Sequence, residues 1–254
     1  MSSTEKKLAQ SLTAESVELI PYLPYLLQDL WELGSSPEDI IEMIQREIAE
    51  PEKLKVLDLA CGKGAVSVNL AKALGCQVKG VDIIPEFIEV AKEKATVYKV
   101  ENLCEFIVGD AKEAVEIEKN YDLVIFGAAS DILGTPEQTI QVLKKTITPE
   151  GYLIIDDAYG KEGNSSDYYT RAQWLEIFTK TGVTLLDEKR MDPNAMEALN
   201  KEQQSHILKR SEELKKQYPE KKHLFDGYVK SQQAECDELE NDLDAVTMLL
   251  KATV

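Results

Sequence analysis

Apolar positions recur along this chain with two periods, and the change from one to the other marks out its elements. Over residues 12–33, Leu19, Ile20, Leu23, Leu26, Leu27, Leu30 and Trp31 fall mostly three or four apart, the spacing of one helix face, with Pro21 and Pro24 interrupting it. A broken helical segment is expected there. Ser36-Pro37-Glu38-Asp39 then supplies an N-cap, a proline at the first helical position and an acid at the third. Ile40, Ile41, Ile44 and Ile48 continue as one face of a second helix that ends near Pro51. From Leu54 short apolar runs alternate with helical patterns, as in a parallel sheet covered on both faces. The runs predict strands at 54–59, 77–82, 104–108, 121–126 and 151–156. Between them a helix opens at Pro85 and covers 85–96, and the capping box Thr135-Pro136-Glu137-Gln138 opens another over 135–147. A Gly-, Ser- and Tyr-rich loop at 159–169 leads to a helix around 170–181 and a strand at 183–188. Residues 195–242 read as helical with a break at Pro219, and the Glu/Lys-rich stretch 197–222 reads as a solvated helix face. The apolar run 245–250 is expected to return as an edge strand.

These elements predict an α/β fold built on a doubly wound, mostly parallel sheet of seven strands. N-terminal helices precede it, and a helical insertion comes before the last strand. The expected parts are an N-terminal helical cap at 1–50, a core at 51–190, an insertion at 191–243 that serves as a lid, and a final edge strand at 244–254. With 254 residues and 43% hydrophobic side chains, the chain can bury the core of one sizeable domain with additions.

Charge narrows the class of partner. A net charge of −17 opposes a phosphate-dense polymer, because nucleic-acid affinity rests on Lys and Arg neutralising phosphates. No nucleic-acid partner is expected, and 208–222 is the nearest approach to a basic stretch. No segment nears the roughly 20 apolar residues that span a bilayer, and no apolar run follows a basic start, so a cytoplasmic protein without a membrane partner is expected. Cys61, Cys76, Cys104 and Cys236 lack Cys-x-x-Cys spacing, and His206 and His223 lie far from most of them. Neither a disulfide framework nor a metal site is indicated.

The most informative stretch is VLDLACGKGAVSVNLAKALG, from Val56 to Gly75. An apolar strand carries Asp58 near its end, the small residues Ala60, Gly62 and Gly64 follow, and a helix begins at once. Such a turn lets backbone approach a ligand closely and presents the free N–H groups of a helix start. The next strand ends VKGVDII, with Asp82 at its tip 18 residues after Gly64. A carboxylate there is placed to accept both ribose hydroxyls of a nucleoside, which implies adenosine, and it is expected to be solvent-accessible in the empty protein.

At these residues the chain resembles the class I S-adenosylmethionine-dependent methyltransferases, across roughly residues 36–190, with the elements in family order. That resemblance implies a Rossmann-like core with S-adenosylmethionine as its cofactor. VLDLACGKG is similar to the family's first motif, although Ala60 stands where the family usually has its first glycine; Cys61 occupies a place where cysteine is common in the family. By the same resemblance, Asp58 orients the methionine end, Gly62 and Gly64 allow close packing beside the cofactor, and Asp82, followed by Ile83, holds the ribose. Phe106-Ile107-Val108-Gly109-Asp110-Ala111 resembles the segment whose acid and following amide read the adenine amine and ring nitrogen. Tyr121-Asp122-Leu123-Val124-Ile125-Phe126-Gly127 resembles the fourth strand, whose end at Phe126 and Gly127 faces the methyl group.

A nicotinamide-dependent oxidoreductase shares the glycine turn and second-strand acid, but it predicts Gly-x-Gly-x-x-Gly, whereas this chain has Ala60, Gly62, Gly64 and then Ser67, with the acid Asp58 standing before the turn. A noncatalytic S-adenosylmethionine-binding module is the third reading. The segment GAASDILG after the fourth strand lacks the Asn- or Asp-Pro-Pro-Tyr pattern of family members that methylate adenine or glutamine amides. A small-molecule acceptor is expected, without an assigned catalytic base. Ligands in such sheets gather outside the carboxyl ends of the strands. There Asp156, Asp157 and Tyr159 are candidates for substrate contact, with Trp31 on the N-terminal segment as a further one that core packing between helices competes for.

Overall fold

A computed structural model describes residues 3–129, 131–161 and 168–253, so 162–167 of the expected loop lie outside the described residues. Helix α1 (Ser3–Ser11) and the one-turn helix α2 (Leu23–Leu26) flank a 3-10 segment at Val17–Tyr22 that contains Pro21. The broken helix read from the prolines is therefore present. In α3 (Pro37–Glu47) the Ser36 side chain accepts from the Asp39 N–H at 3.3 Å, and the helix stops at Ile48, a turn short of Pro51.

Strands and helices then alternate as β1 (Lys55–Leu59), α4 (Ala65–Leu74), β2 (Gln77–Asp82), α5 (Pro85–Val97), β3 (Cys104–Val108), α6 (Ala111–Ile117), β4 (Tyr121–Gly127), α7 (Pro136–Leu143) and β5 (Ile147–Gly160). After these come α8 (Arg171–Thr181), β6 (Val183–Arg190), α9 (Pro193–Gln217), α10 (Lys222–Asn241) and β7 (Leu243–Ala252). Thr135 does form the capping box, but α7 ends at Leu143 because Lys144–Thr146 turn into a longer β5, whose Ile147 pairs with Tyr121.

The seven strands form one sheet in the order β3-β2-β1-β4-β5-β7-β6. β1 pairs in parallel with β2 and β4, β2 with β3, and β4 with β5, whereas β6 and β7 are antiparallel. Strand order reverses between β1 and β4, and in such sheets the crevice at the carboxyl ends of those two strands is where ligands bind. The last strand corrects one expectation: β7 lies between β5 and β6, and the edge belongs to β6. Its run Val246–Leu250 is buried at every position, as an interior strand covered on both faces requires.

The described chain divides into two units. The sheet unit comprises Trp31–Asp157, Tyr169–Arg190 and Val246–Val254, and the helical unit comprises Met1–Leu30, Ala158–Tyr168 and Met191–Ala245. The expected cap at 1–50 is thus divided at Leu30: Ile40, Met43 and Ile44 of α3 pack in the sheet's core with Val56, Ile125, Ile154 and Leu249. Burying a branched aliphatic side chain contributes about 1.5–3 kcal/mol, which explains why α3 stays with the sheet. Within the helical unit the segment before Leu30 joins the later helices. Asp29 receives both Nε and Nη2 of Arg210 at 2.7 Å, and Tyr22 meets Tyr218 and Phe225 edge-on. Among the described residues no helix is long and apolar enough to cross a membrane.

Candidate functional site

The turn between β1 and α4 is built from backbone conformations that few residues adopt. Ala60, Gly62 and Gly64 have φ of 56°, 54° and 71°. Gly64 is required twice over: a Cβ there would stand 2.7 Å from the Ala91 Cβ and 3.0 Å from the Phe106 ring, where α4 crosses α5 and β3. Ala60 adopts the same left-handed region with a side chain, at a cost of roughly 1–2 kcal/mol.

Because Gly64 is the N-cap of α4 and has no side chain, the free amides of the helix start need an acceptor from elsewhere. Asp58 provides it. Its carboxylate accepts the Ser67 hydroxyl at 2.5 Å and also the Ser67 backbone N–H. Asp58 is 4% exposed and Ser67 wholly buried. Loss of hydration, with Asp82 and Asp156 adding repulsion against the bonds from Ser67, pushes the Asp58 carboxyl up to about 7.

Asp82 sits at the end of β2, and it is not solvent-accessible as expected but 8% exposed. The chain folds back on it from both sides: Oδ2 accepts the Gly62 N–H at 2.8 Å and Oδ1 the Ile84 N–H at 2.9 Å. Burial raises its pKa against these amide bonds. Ile83 beside it is half-buried. Asp110 caps α6, its Oδ1 accepting from the Lys112 N–H at 2.8 Å. Ala111 is the first residue of that helix, where the amide has no intrahelical acceptor. The apolar side chains of Ile107 and Val108 just before it remain 37% and 48% exposed.

Cys61 lies inside the turn, with its Sγ 2.9 Å from where a Gly80 Cβ would stand. Lost hydration, then the Asp58 and Asp82 carboxylates, push its thiol well above the ordinary cysteine value, so it is not primed as a thiolate.

At β4, Phe126 is buried in register with Leu59, and Gly127 leaves room for Ser35 and Asp156. Asp156 Oδ1 accepts the Thr247 hydroxyl, Oδ2 is buried against Gly127, and burial raises its pKa. The three β5 candidates therefore do not share one environment. Asp156 is bonded, Asp157 is exposed, and Tyr159 is 2% exposed and belongs to the helical unit. Trp31 is also placed differently from a substrate contact at β5. It stacks on Tyr98 with ring centres 5.3 Å apart and donates its indole N–H to the Lys63 carbonyl at 3.0 Å. Ser67, Ser35 and Thr247, the partners of these acids, carried no signal of a site in their own stretches; the nearest hint was a serine three residues after a glycine that cannot cap a helix. Among the described residues no group of three or more His, Cys, Asp or Glu is arranged to hold a metal ion.

A glycine turn, a buried acid capping the following helix and a second acid at the tip of β2, all at the switch point of this sheet, define the nucleoside-binding class of α/β domains. Comparison narrows the class. Residues 50–240 match the family model described as a methyltransferase domain, and the chain belongs to that family. The family's cofactor is S-adenosyl-L-methionine. The fold is likewise shared with the S-adenosylmethionine-dependent methyltransferase of Thiobacillus denitrificans solved with S-adenosyl-L-homocysteine, at a TM-score of 0.74, 19% identity and coverage of 91% of this chain and 98% of that one. Among curated relatives, the tRNA 5-carboxymethoxyuridine methyltransferase of Escherichia coli is 32% identical over 115 residues, 44% of this chain and 44% of its own. The ajmaline N-methyltransferase of Rauvolfia serpentina is 27% identical over 138 residues, 54% of this chain and 47% of its own. The matched segment spans less than half the length of these relatives.

Proposed function

We propose that this chain transfers a methyl group from S-adenosylmethionine to a small organic acceptor, with the turn at 58–64, Asp82, Ile83, Asp110, Ala111, Phe126 and Gly127 holding the cofactor. The observation that carries the reading is the bond from the Gly62 amide to the Asp82 carboxylate, which joins glycine turn and second-strand acid into one unit at the switch point. A carboxylate has about four lone-pair positions, so Asp82 keeps capacity for a ribose hydroxyl beyond its bonds from the Gly62, Ile83 and Ile84 amides. Asp110 spends Oδ1 on its helix and keeps Oδ2 for an adenine amine, with the Ala111 amide beside it and the exposed Val108 as an apolar surface for the ring. Asp58 faces the methionine end, where its negative charge favours a cationic ligand.

The cofactor supplies a methyl group on a sulfonium, already a strong electrophile. The protein's part is to exclude water and hold the nucleophile in line, so no side chain has to act as a base. On the acceptor side we keep the carboxyl end of β5, with Asp157 exposed and Asp156 against Gly127, and we leave out the buried Tyr159. A small acceptor is supported by the charge of −17 and by the similarity to ajmaline N-methyltransferase. Four free thiols suit a reducing cytosol, where we place the activity.

Calorimetry with S-adenosylmethionine, S-adenosylhomocysteine and NAD tests the cofactor. Saturable binding of NAD alone would overturn the assignment. For the acceptor, the protein is incubated with methyl-labelled cofactor and a cell extract separated into metabolite, RNA and protein fractions. Label in the metabolite fraction is expected; label confined to RNA or protein refutes the small-molecule reading.

A further inference from the structure

The cofactor turn is held at several points, and one of them comes from a segment with no motif in it. Gly62 N–H is fixed by Asp82, and Gly64 N–H donates to the Cys61 carbonyl at 2.9 Å. The carbonyl of Lys63, between two left-handed glycines, accepts the indole N–H of Trp31 at 3.0 Å. Glycine permits several backbone conformations, so a peptide flanked by two of them has little intrinsic restraint and depends on outside partners for its orientation. The same segment touches the turn a second time, where Leu33 Cδ1 lies 3.3 Å from the Cβ position of Gly62. Trp31 is itself held: its ring stacks on Tyr98 at an interplanar angle of 15°, and the Lys94 ammonium lies 4.6 Å from the ring centre. Lys72 in turn stands 4.5 Å from the Tyr98 ring.

We propose that Trp31 is a positioning residue for the cofactor turn, setting the Lys63 peptide in the orientation that S-adenosylmethionine binding requires; this rests on reading the turn as the cofactor site. Trp31→Phe is the discriminating change, because it keeps an aromatic ring between Tyr98 and Lys94 while removing the N–H together with the indole's second ring, and the thermal melts read the packing lost with that ring. Dissociation constants for S-adenosylmethionine and S-adenosylhomocysteine are measured by calorimetry on wild type and Trp31→Phe, together with thermal melts.

Binding weakened about three- to tenfold in a protein that still melts cooperatively is the expected result, from the usual strength of one hydrogen bond. Equal affinity in the two proteins, with or without a lowered Tm, would assign Trp31 to packing alone and overturn the proposal. Wild type that binds neither ligand would instead remove the reading of the site and the proposal with it.

A second measurement covers a Trp31→Phe protein that fails to fold. Trp174 is 2% exposed and its indole N–H has no partner among the described residues, and Trp174→Phe leaves Trp31 as the sole tryptophan. Its emission should shift on saturation with S-adenosylhomocysteine. An unchanged spectrum in a protein that binds the ligand would refute the coupling.

Discussion

Asp58→Asn should make the empty protein more stable and its cofactor binding worse, and both effects should grow with pH. The wild-type carboxyl is buried and titrates at about 7 against an ordinary aspartate value of 3.8, so the folded state holds a proton through that window which the unfolded chain has released. Folded protein therefore binds more protons than unfolded, and stability from this group falls as pH rises from about 4 to about 7. Each pH unit separating the folded from the unfolded titration corresponds to about 1.36 kcal/mol, which puts the full penalty at about 4 kcal/mol at pH 8 and the part acquired between pH 5 and pH 8 at about 3 kcal/mol. Asparagine has no charge to bury and can still accept the Ser67 N–H, so the variant should lose this pH dependence. For a chain of this size about 3 kcal/mol is on the order of 5–10 °C in Tm. The assay is a series of thermal melts of both proteins without ligand from pH 5 to pH 8, alongside S-adenosylmethionine titrations at each pH. The Tm difference between variant and wild type should rise with pH. Wild-type affinity should fall as pH drops through about 7, whereas the variant's should be weak and flat. A Tm difference that does not change with pH would refute the reasoning, since all other titrating groups are common to both proteins.

Asp82→Ala should weaken S-adenosylmethionine binding about tenfold or more, because each charge-assisted bond is worth about 1.5–3 kcal/mol, with Asp82→Asn in between. Since the Gly62 and Ile84 amides also lose their acceptor, the alanine variant should melt lower as well; unchanged affinity in a folded variant would place the ribose elsewhere. Gly64→Ala combines a positive φ with a Cβ 2.7 Å from Ala91, and should cost more than about 2 kcal/mol in denaturant titrations; an unmoved midpoint would contradict the packing described. Duplex DNA should give no gel shift at physiological salt with submicromolar protein, as a net charge of −17 predicts, and a salt-resistant shift would contradict that.

The parts of this molecule that were legible in its sequence are those in which a residue type answers a local backbone demand. Gly62 and Gly64 announce a turn because other residues are strained there, Thr135 and Ser36 announce helix starts because their hydroxyls reach an amide three residues on, and the β2 strand stops at the acid. The place of β7 was not local in this sense. Its run reads the same whether the strand lies at the edge or between β5 and β6, and only burial at each of positions 246–250 separates the two.

Where sequence reading fell short at the site, it was over which distant donor meets which acceptor. Asp82 looked like an exposed strand-end acid because nothing in VKGVDII reveals that Gly62, 20 residues earlier, turns its amide toward it. The bond between Asp58 and Ser67 is hidden for a related reason: the demand that joins them is the uncapped start of α4, created by Gly64, a residue already explained by the turn. Once a glycine is required at a helix N-cap, some other group must accept the third-position amide, and the nearest acid on the preceding strand becomes the expected partner. Burying that acid raises its pKa, and a carboxyl titrating near neutrality can gain charge when a cationic ligand arrives. The glycine pattern from which the turn was read thus also leads to the pH dependence expected of cofactor binding.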